Sequence, residues 1–198
     1  MKLTARFVSS AFTPAGNPPW ERVEIAFAGR SNVGKSSLLN ALAGVRGLAR
    51  TSRTPGRTRS LNFFELGDTL ALVDLPGYGY AAIAHTEAER IAALLRNYVT
   101  ERRNLAALVM LIDARRGPGA EERELAAIVT GREIDLIVVA TKCDKLRAAE
   151  RAALPRLFAP LGLEPILTSA HKDQGIDQLR RRLLRYAARP AAGDNARG

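Results

Sequence analysis

Two hydrophobic rhythms divide this chain. Runs of strand length, several of them almost wholly apolar, lie at 23–28, 61–66, 69–73, 105–112, 136–141 and 165–168. Between them, apolar residues recur at helical spacing over 35–42, 87–102, 120–130, 147–158 and 174–188. A run such as Ala106-Ala107-Leu108-Val109-Met110-Leu111-Ile112 has no polar face, which suits a strand covered on both sides. Gly67-Asp68 joins 61–66 to 69–73, predicting an antiparallel hairpin. There is no internal repeat. The alternation predicts an α/β fold with a mostly parallel six-stranded sheet, one antiparallel strand and helices on both faces. Two stretches fit neither rhythm: 44–60, rich in Gly, Arg, Ser and Thr, and 75–86, with Pro76, Gly77 and Gly79. Both sit at strand ends, where ligand-sensing loops lie. Residues 1–20 read as an N-terminal extension, 21–189 as one globular domain and 190–198 as a disordered tail.

One strand-to-helix junction carries chemistry. Gly29-Arg30-Ser31-Asn32-Val33-Gly34-Lys35-Ser36 fits the pattern G-x-x-x-x-G-K-[ST], between an apolar run and an amphipathic one. Glycines let the backbone curl so that successive N–H groups face a polyanion, and the following helix adds its positive end. Lys35 can reach the β- and γ-phosphates, and the Ser36 hydroxyl can hold Mg²⁺. A plain glycine turn before a helix is the bland alternative. The strand–loop–helix context favours a site for a nucleoside phosphate.

Three further motifs narrow the nucleotide. Asp74-Leu75-Pro76-Gly77 follows an apolar strand; a carboxylate there can hold a water on Mg²⁺, and Gly77 can turn its N–H onto a γ-phosphate. Thr141-Lys142-Cys143-Asp144 follows another. Asp144 can accept two hydrogen bonds from guanine N1 and N2, which adenine does not offer, while Lys142 can lie over base and ribose. Thr168-Ser169-Ala170 follows a short strand, where a backbone N–H can reach guanine O6. A P-loop kinase of small metabolites would need acceptor and lid segments and would leave Asp144 idle.

Composition changes the picture in two ways. At 198 residues, 46% hydrophobic and 25% charged, the chain suits a single globular domain; no apolar run approaches the ~20 residues of a membrane span. A charged N-terminus argues against a signal peptide, and the lone Cys143 excludes a disulfide framework, so the expected compartment is the cytoplasm; a monomer is expected. The net charge is +10, from 30 Lys+Arg against 20 Asp+Glu. It is clustered: Arg46, Arg50, Arg53, Arg57 and Arg59 stand in an acid-free stretch, and Arg180, Arg181, Arg182, Arg185 and Arg189 crowd the C-terminal segment. Clustered cations point to nucleic acid; solubility alone, or the solvated face of an amphipathic helix, is the alternative.

The motifs together resemble the EngB (YihA/YsxC) family of bacterial ribosome-biogenesis GTPases, within the translation-factor-related P-loop GTPases. The P-loop, Thr51-Ser52-Arg53-Thr54-Pro55-Gly56-Arg57-Thr58-Arg59, Asn62-Phe63-Phe64, Asp74-Leu75-Pro76-Gly77-Tyr78-Gly79-Tyr80 and Thr141-Lys142-Cys143-Asp144 carry the likeness, which runs from about Phe7 to Arg185. It implies a GTP/GDP switch that binds rRNA and the large ribosomal subunit or its precursor, with a link to septation and cell division. Gly56, Arg57, Thr58, Arg59 and Ser60 would form the first switch. Thr58 would join Ser36 on Mg²⁺, with Thr54 as its rival. Lys35, Asn32, Thr58 and Gly77 would carry catalysis. Asp113 also matches the family, and reads more simply as a strand-end cap. Two departures stand out. Tyr78 occupies the place where many small GTPases carry a water-orienting Gln, and Thr141 replaces the usual Asn of the base motif. Slow hydrolysis is therefore expected. In related GTPases an Asn at the place of Asn32 helps hold K⁺; stabilising the turn is its other reading. A nucleotide-gated RNA-binding protein with negligible hydrolysis is the alternative function.

Overall fold

The computed structural model describes residues 5–49, 60–79, 85–132 and 134–188. Seven strands form one sheet: β1 (Ala5–Ala11), β2 (Val23–Gly29), β3 (Leu61–Leu66), β4 (Leu70–Asp74), β5 (Leu105–Asp113), β6 (Asp135–Thr141) and β7 (Ile166–Leu167). Their order is β1-β3-β4-β2-β5-β6-β7. β3 runs antiparallel to both β1 and β4, and every other pairing is parallel, so one strand is reversed. The hairpin at Gly67-Asp68 is present. The strand count differs from the expected six: part of the segment read as an N-terminal extension is β1, an edge strand.

Among the described residues five α-helices accompany the strands: α1 (Lys35–Ala43), α2 (His85–Glu101), α3 (Ala120–Thr130), α4 (Ala148–Phe158) and α5 (Ile176–Leu184). The side-chain alternation of the strands divides the core in two. On one face Ala26, Ala28, Val73, Leu108, Met110 and Val138 meet α2, α3 and α4 through Leu94, Val99, Leu125, Val129 and Phe158. On the other, Ile25, Phe27, Leu72, Val109, Leu111 and Val139 meet α1 and α5 through Leu38, Leu39, Leu42, Ile176, Leu179 and Leu183. Every residue of β2 is buried, as expected of a central strand covered on both sides.

At the end of the sheet where β2 begins, the carboxylate of Glu24 is fully buried. It accepts hydrogen bonds from Trp20 Nε1 and Tyr98 Oη, each at 2.6 Å, and from the Arg102 guanidinium. A buried charge costs several kcal/mol unless paired and hydrogen-bonded. This one ties the chain before β2 to the end of α2. At the opposite end, the carboxyl ends of the parallel strands open toward the motif loops, which is where ligands enter sheets of this kind.

Candidate functional site

The P-loop turns from β2 into α1 on unusual dihedrals. Gly34, the residue before the helix, has φ 106°, a conformation that a side chain rarely permits. Asn32 has φ 59°, in the left-handed region that Asn tolerates better than most residues. Lys35 opens α1 almost wholly buried, and its ammonium pairs with the Asp74 carboxylate at the end of β4. Ser36 follows in the same helical turn.

The base motif is fastened to the P-loop from below. Thr141 Oγ1 donates to the Val33 carbonyl at 2.7 Å. Lys142, itself left-handed at φ 57°, donates from Nζ to the Asn32 carbonyl at 2.6 Å and to Asp113 Oδ2 at 3.0 Å. Asp113 does more than cap a strand end. Its carboxylate also receives the Arg115 backbone N–H at 3.1 Å and the Arg115 guanidinium at 2.9 and 2.6 Å. Burial alone would push this carboxyl up, but Arg115 and Lys142 together hold it well below the usual carboxylate range.

Asp144 stands exposed beyond Lys142, in a short 3₁₀ turn over Cys143–Lys145. The Ser169 hydroxyl beside it holds its carboxyl below the ordinary value. The same turn is stitched to the 168–170 loop: Cys143 N–H donates to the Thr168 carbonyl at 3.1 Å, and Thr168 N–H to the Ala140 carbonyl at 2.8 Å. Cys143 is fully buried, and burial pushes its thiol up. A protonated, sealed thiol has no nucleophilic or redox character.

The fourth loop lies on the first. Leu75 N–H donates to the Phe27 carbonyl at 3.0 Å, and Ser31 N–H to the Tyr78 carbonyl at 2.9 Å. Gly79 has φ 71°, and a Cβ there would sit 2.9 Å from the Arg30 guanidinium, which crosses it to reach Glu121 Oε2 at 2.8 Å. A cleft of about 240 Å³ lies alongside, bordered by Arg30, Asn32, Asp113, Arg115, Glu122 and Lys142.

The P-loop, 74–77, 141–144 and 168–170 segments therefore converge at one end of the sheet. Gly56, Arg57, Thr58 and Arg59 lie outside the described residues. Ser60 stands at the start of β3 and donates its hydroxyl to Asn62 Oδ1 at 3.2 Å, turned to its own strand. Arg180 corrects the reading of the C-terminal cluster as a free basic face. Its guanidinium donates to the Ala41 and Leu42 carbonyls at 3.0 and 3.2 Å and pairs with Asp177. Arg181, Arg182 and Arg185 remain exposed. Sequence reading missed Glu121 and Glu122. The spacing of Glu122 from Gly119 signals a helix start, but nothing in the sequence says what else that turn would face.

The family model for the 50S ribosome-binding GTPase matches residues 24–142. A probable GTP-binding protein EngB of Ruegeria pomeroyi is 46% identical over 183 residues, covering 89% of this chain and 84% of that protein. Its counterpart in Desulfovibrio desulfuricans is 44% identical over 190 residues, 94% of each chain. Among solved structures, that of a probable GTP-binding protein engB superposes with a TM-score of 0.66 at 26% identity, over 83% of this chain and 98% of that one. Era in complex with MgGDPNP and nucleotides 1506–1542 of 16S ribosomal RNA superposes with a TM-score of 0.62 at 25% identity, over 82% and 56%.

Proposed function

The chain belongs to the EngB family of GTP-binding proteins, and from that premise we propose that it is a GTP-hydrolysing switch that binds the large ribosomal subunit or its precursor and assists its assembly. The observation that carries the nucleotide half is the fastening of the 141–144 motif to the P-loop through Thr141 and Lys142. Phosphate and base subsites built on one braced unit are pre-organised for a guanine nucleotide. The P-loop amides and the end of α1 cradle the phosphates, Lys35 leaves Asp74 for the β- and γ-phosphates, and Asp144 accepts from guanine N1 and N2. Lys142 covers the base, and a backbone N–H of 168–170 meets O6.

The donor set at the phosphate end fits Mg²⁺. The Ser36 hydroxyl and the Asp74 carboxylate are hard oxygen donors, and no cluster of three or more His, Cys, Asp or Glu stands among the described residues. Such a site suits an ion that keeps its waters and takes substrate phosphates as ligands. Ser36 would ligate it with Thr58, and Asp74 would act through a water. Bound there, Mg²⁺ supplies neutralisation of the charge on the β- and γ-phosphates. Thr58 and Gly77 report the γ-phosphate. Hydrolysis is slow, because Tyr78 has no amide with which to orient water; Asn32 would hold K⁺, which would neutralise charge on the phosphates. Turnover equal in KCl and NaCl removes the K⁺ role.

The ribosome half is supported by the family description and by the +10 charge, with the arginines of 46–59 and exposed Arg181, Arg182 and Arg185 offered to rRNA backbone. No helix among the described residues is long and apolar enough to cross a membrane; the protein acts as a cytoplasmic monomer. Co-sedimentation with large-subunit precursors tests the proposal. Binding with a non-hydrolysable GTP analogue but not with GDP is the expected result, and equal binding, or none, overturns the ribosomal role. Tyr78 favours one second reading, a nucleotide-gated RNA-binding protein with negligible hydrolysis. GTP turnover measured with purified large subunits separates the two.

A further inference from the structure

Asp144 is carried by very little structure of its own. The 143–145 segment is a single 3₁₀ turn, closed by the Lys145 N–H on the Lys142 carbonyl at 3.0 Å and the Leu146 N–H on the Cys143 carbonyl at 3.3 Å. One such turn has poor hydrogen-bond geometry, so its orientation has to be set by what touches it. The residue before Asp144 supplies those contacts. All three polar groups of Cys143 are engaged, each from a different segment. Its N–H donates to the Thr168 carbonyl at 3.1 Å, its thiol donates to Gln174 Oε1 at 3.4 Å, and its carbonyl accepts from Arg151 Nη2 of α4 at 2.9 Å. The Cys143 carbonyl and the Asp144 N–H belong to one planar peptide unit, so a guanidinium fixed on that carbonyl also fixes the plane from which Asp144 departs. A charged donor makes the stronger bond there. Gln174 works from the other side of the same place. Its N–H and carbonyl pair with the carbonyl and N–H of Ser169, both at 3.0 Å, closing the 169–174 loop on itself. Gly175 follows at φ 71°, where a Cβ would collide with the Leu167 carbonyl oxygen, so the backbone has no room to slide. The side chain of Gln174 therefore ties the 168–170 loop to the turn that bears Asp144.

We propose that Arg151 and Gln174 are positioning residues for the purine base, holding the Asp144 carboxylate and the 168–170 backbone at a fixed separation and so setting the preference for guanine over hypoxanthine. The two bases share O6 and the N1 proton, and only guanine carries the N2 amino group. To tell them apart, Asp144 must accept from N1 and N2 at once. A two-point contact of that kind is lost by a small rotation that a single hydrogen bond tolerates. Neither Arg151 nor Gln174 touches the base; each acts through Cys143 on the residue that does. This inference rests on the reading of Asp144 as the acceptor for guanine.

The test is competition binding of GDP and of inosine diphosphate to the full chain, in wild type, Arg151→Ala and Gln174→Leu, with melting temperatures alongside. Arg151 is exposed on α4 and Ala suits a helix interior, so that variant keeps its fold. Its preference for GDP over inosine diphosphate should fall by about three- to tenfold, the worth of one hydrogen bond. Gln174→Leu should lower the preference in the same direction and by less, because a thiol is a weak donor. A preference within twofold of wild type in Arg151→Ala overturns the proposal. So does an equal loss of affinity for both nucleotides with a lower melting temperature, because that is the signature of a contact that only stabilises the fold. An unchanged preference in Gln174→Leu overturns the part given to Gln174. Wild-type protein that bound GDP and inosine diphosphate alike would overturn the reading of Asp144 and the proposal with it, whereas a wild-type preference that the variants keep overturns the proposal only.

Discussion

Asp113 closes β5 as a carboxylate bracketed by two cations, Arg115 and Lys142, and the second of these also holds the P-loop. Its folded state therefore prefers the ionised form more than the unfolded chain does. The sign follows from linkage: a depressed carboxyl contributes stability in full above its unfolded value of 3.8, and loses it as pH falls toward the depressed folded value. Urea denaturation between pH 5 and strongly acid conditions should show a steeper loss for wild type than for Asp113→Asn below about pH 4. Parallel curves would show that the bracket does not matter to stability. The turn that places Gly34 and Lys35 at the start of α1 was legible in the sequence because it is local. The role of Asp113 was read only as a strand-end cap, since its partner Lys142 lies 29 residues away. Thr141 was legible as a departure from Asn. Its 2.7 Å bond to Val33 shows what the hydroxyl does: it spans two loops that only the fold brings together.

At the scale of elements, α1 and α5 act as one piece. α1 ends at Gly44, whose N–H donates to the Ala41 carbonyl, and Arg180 of α5 adds a charged donor to the Ala41 and Leu42 carbonyls. Cations at a helix C-terminus also complement its dipole. Arg180→Ala should lower stability by about 1.5–3 kcal/mol in denaturant titration, the range for hydrogen bonds with a charged group. Because α1 begins at the P-loop, the same variant should release GDP faster in stopped-flow exchange. Unchanged release would confine the contact to stability. The helices were legible to within a few residues because each carries a one-sided apolar stripe. Two elements were not. β1, Ala5–Ala11, has only Phe7-Val8 between an arginine and two serines, too short an apolar run to mark it, and the extension of α5 ends in a 3₁₀ turn, Arg185–Ala188, where helical spacing gives no warning.

At the scale of the molecule, the two ends of the sheet have opposite characters. One is closed around Glu24, whose partners Trp20, Tyr98 and Arg102 bind the first turns of the chain to α2. The other gathers four motif loops that hold one another through few bonds. β3 begins at this open end, where Asn62 pairs with Asp74, and β3 is not an edge. β1 covers its outer side from Ala5↔Leu66 to Ala11↔Leu61, with Phe7 edge-on to Phe64 at 5.7 Å, and Asn62 Oδ1 accepts from both Ser10 and Ser60. Deleting residues 1–12 should speed amide hydrogen exchange through 61–66, which becomes a free edge; protection retained there would show that β1 is dispensable. With β1 in place, the start of β3 is masonry rather than hinge. A pull at Ser60 therefore meets the whole sheet rather than a loose end, because Asn62 is laddered to Ser10 on one side and to Asp74 on the other.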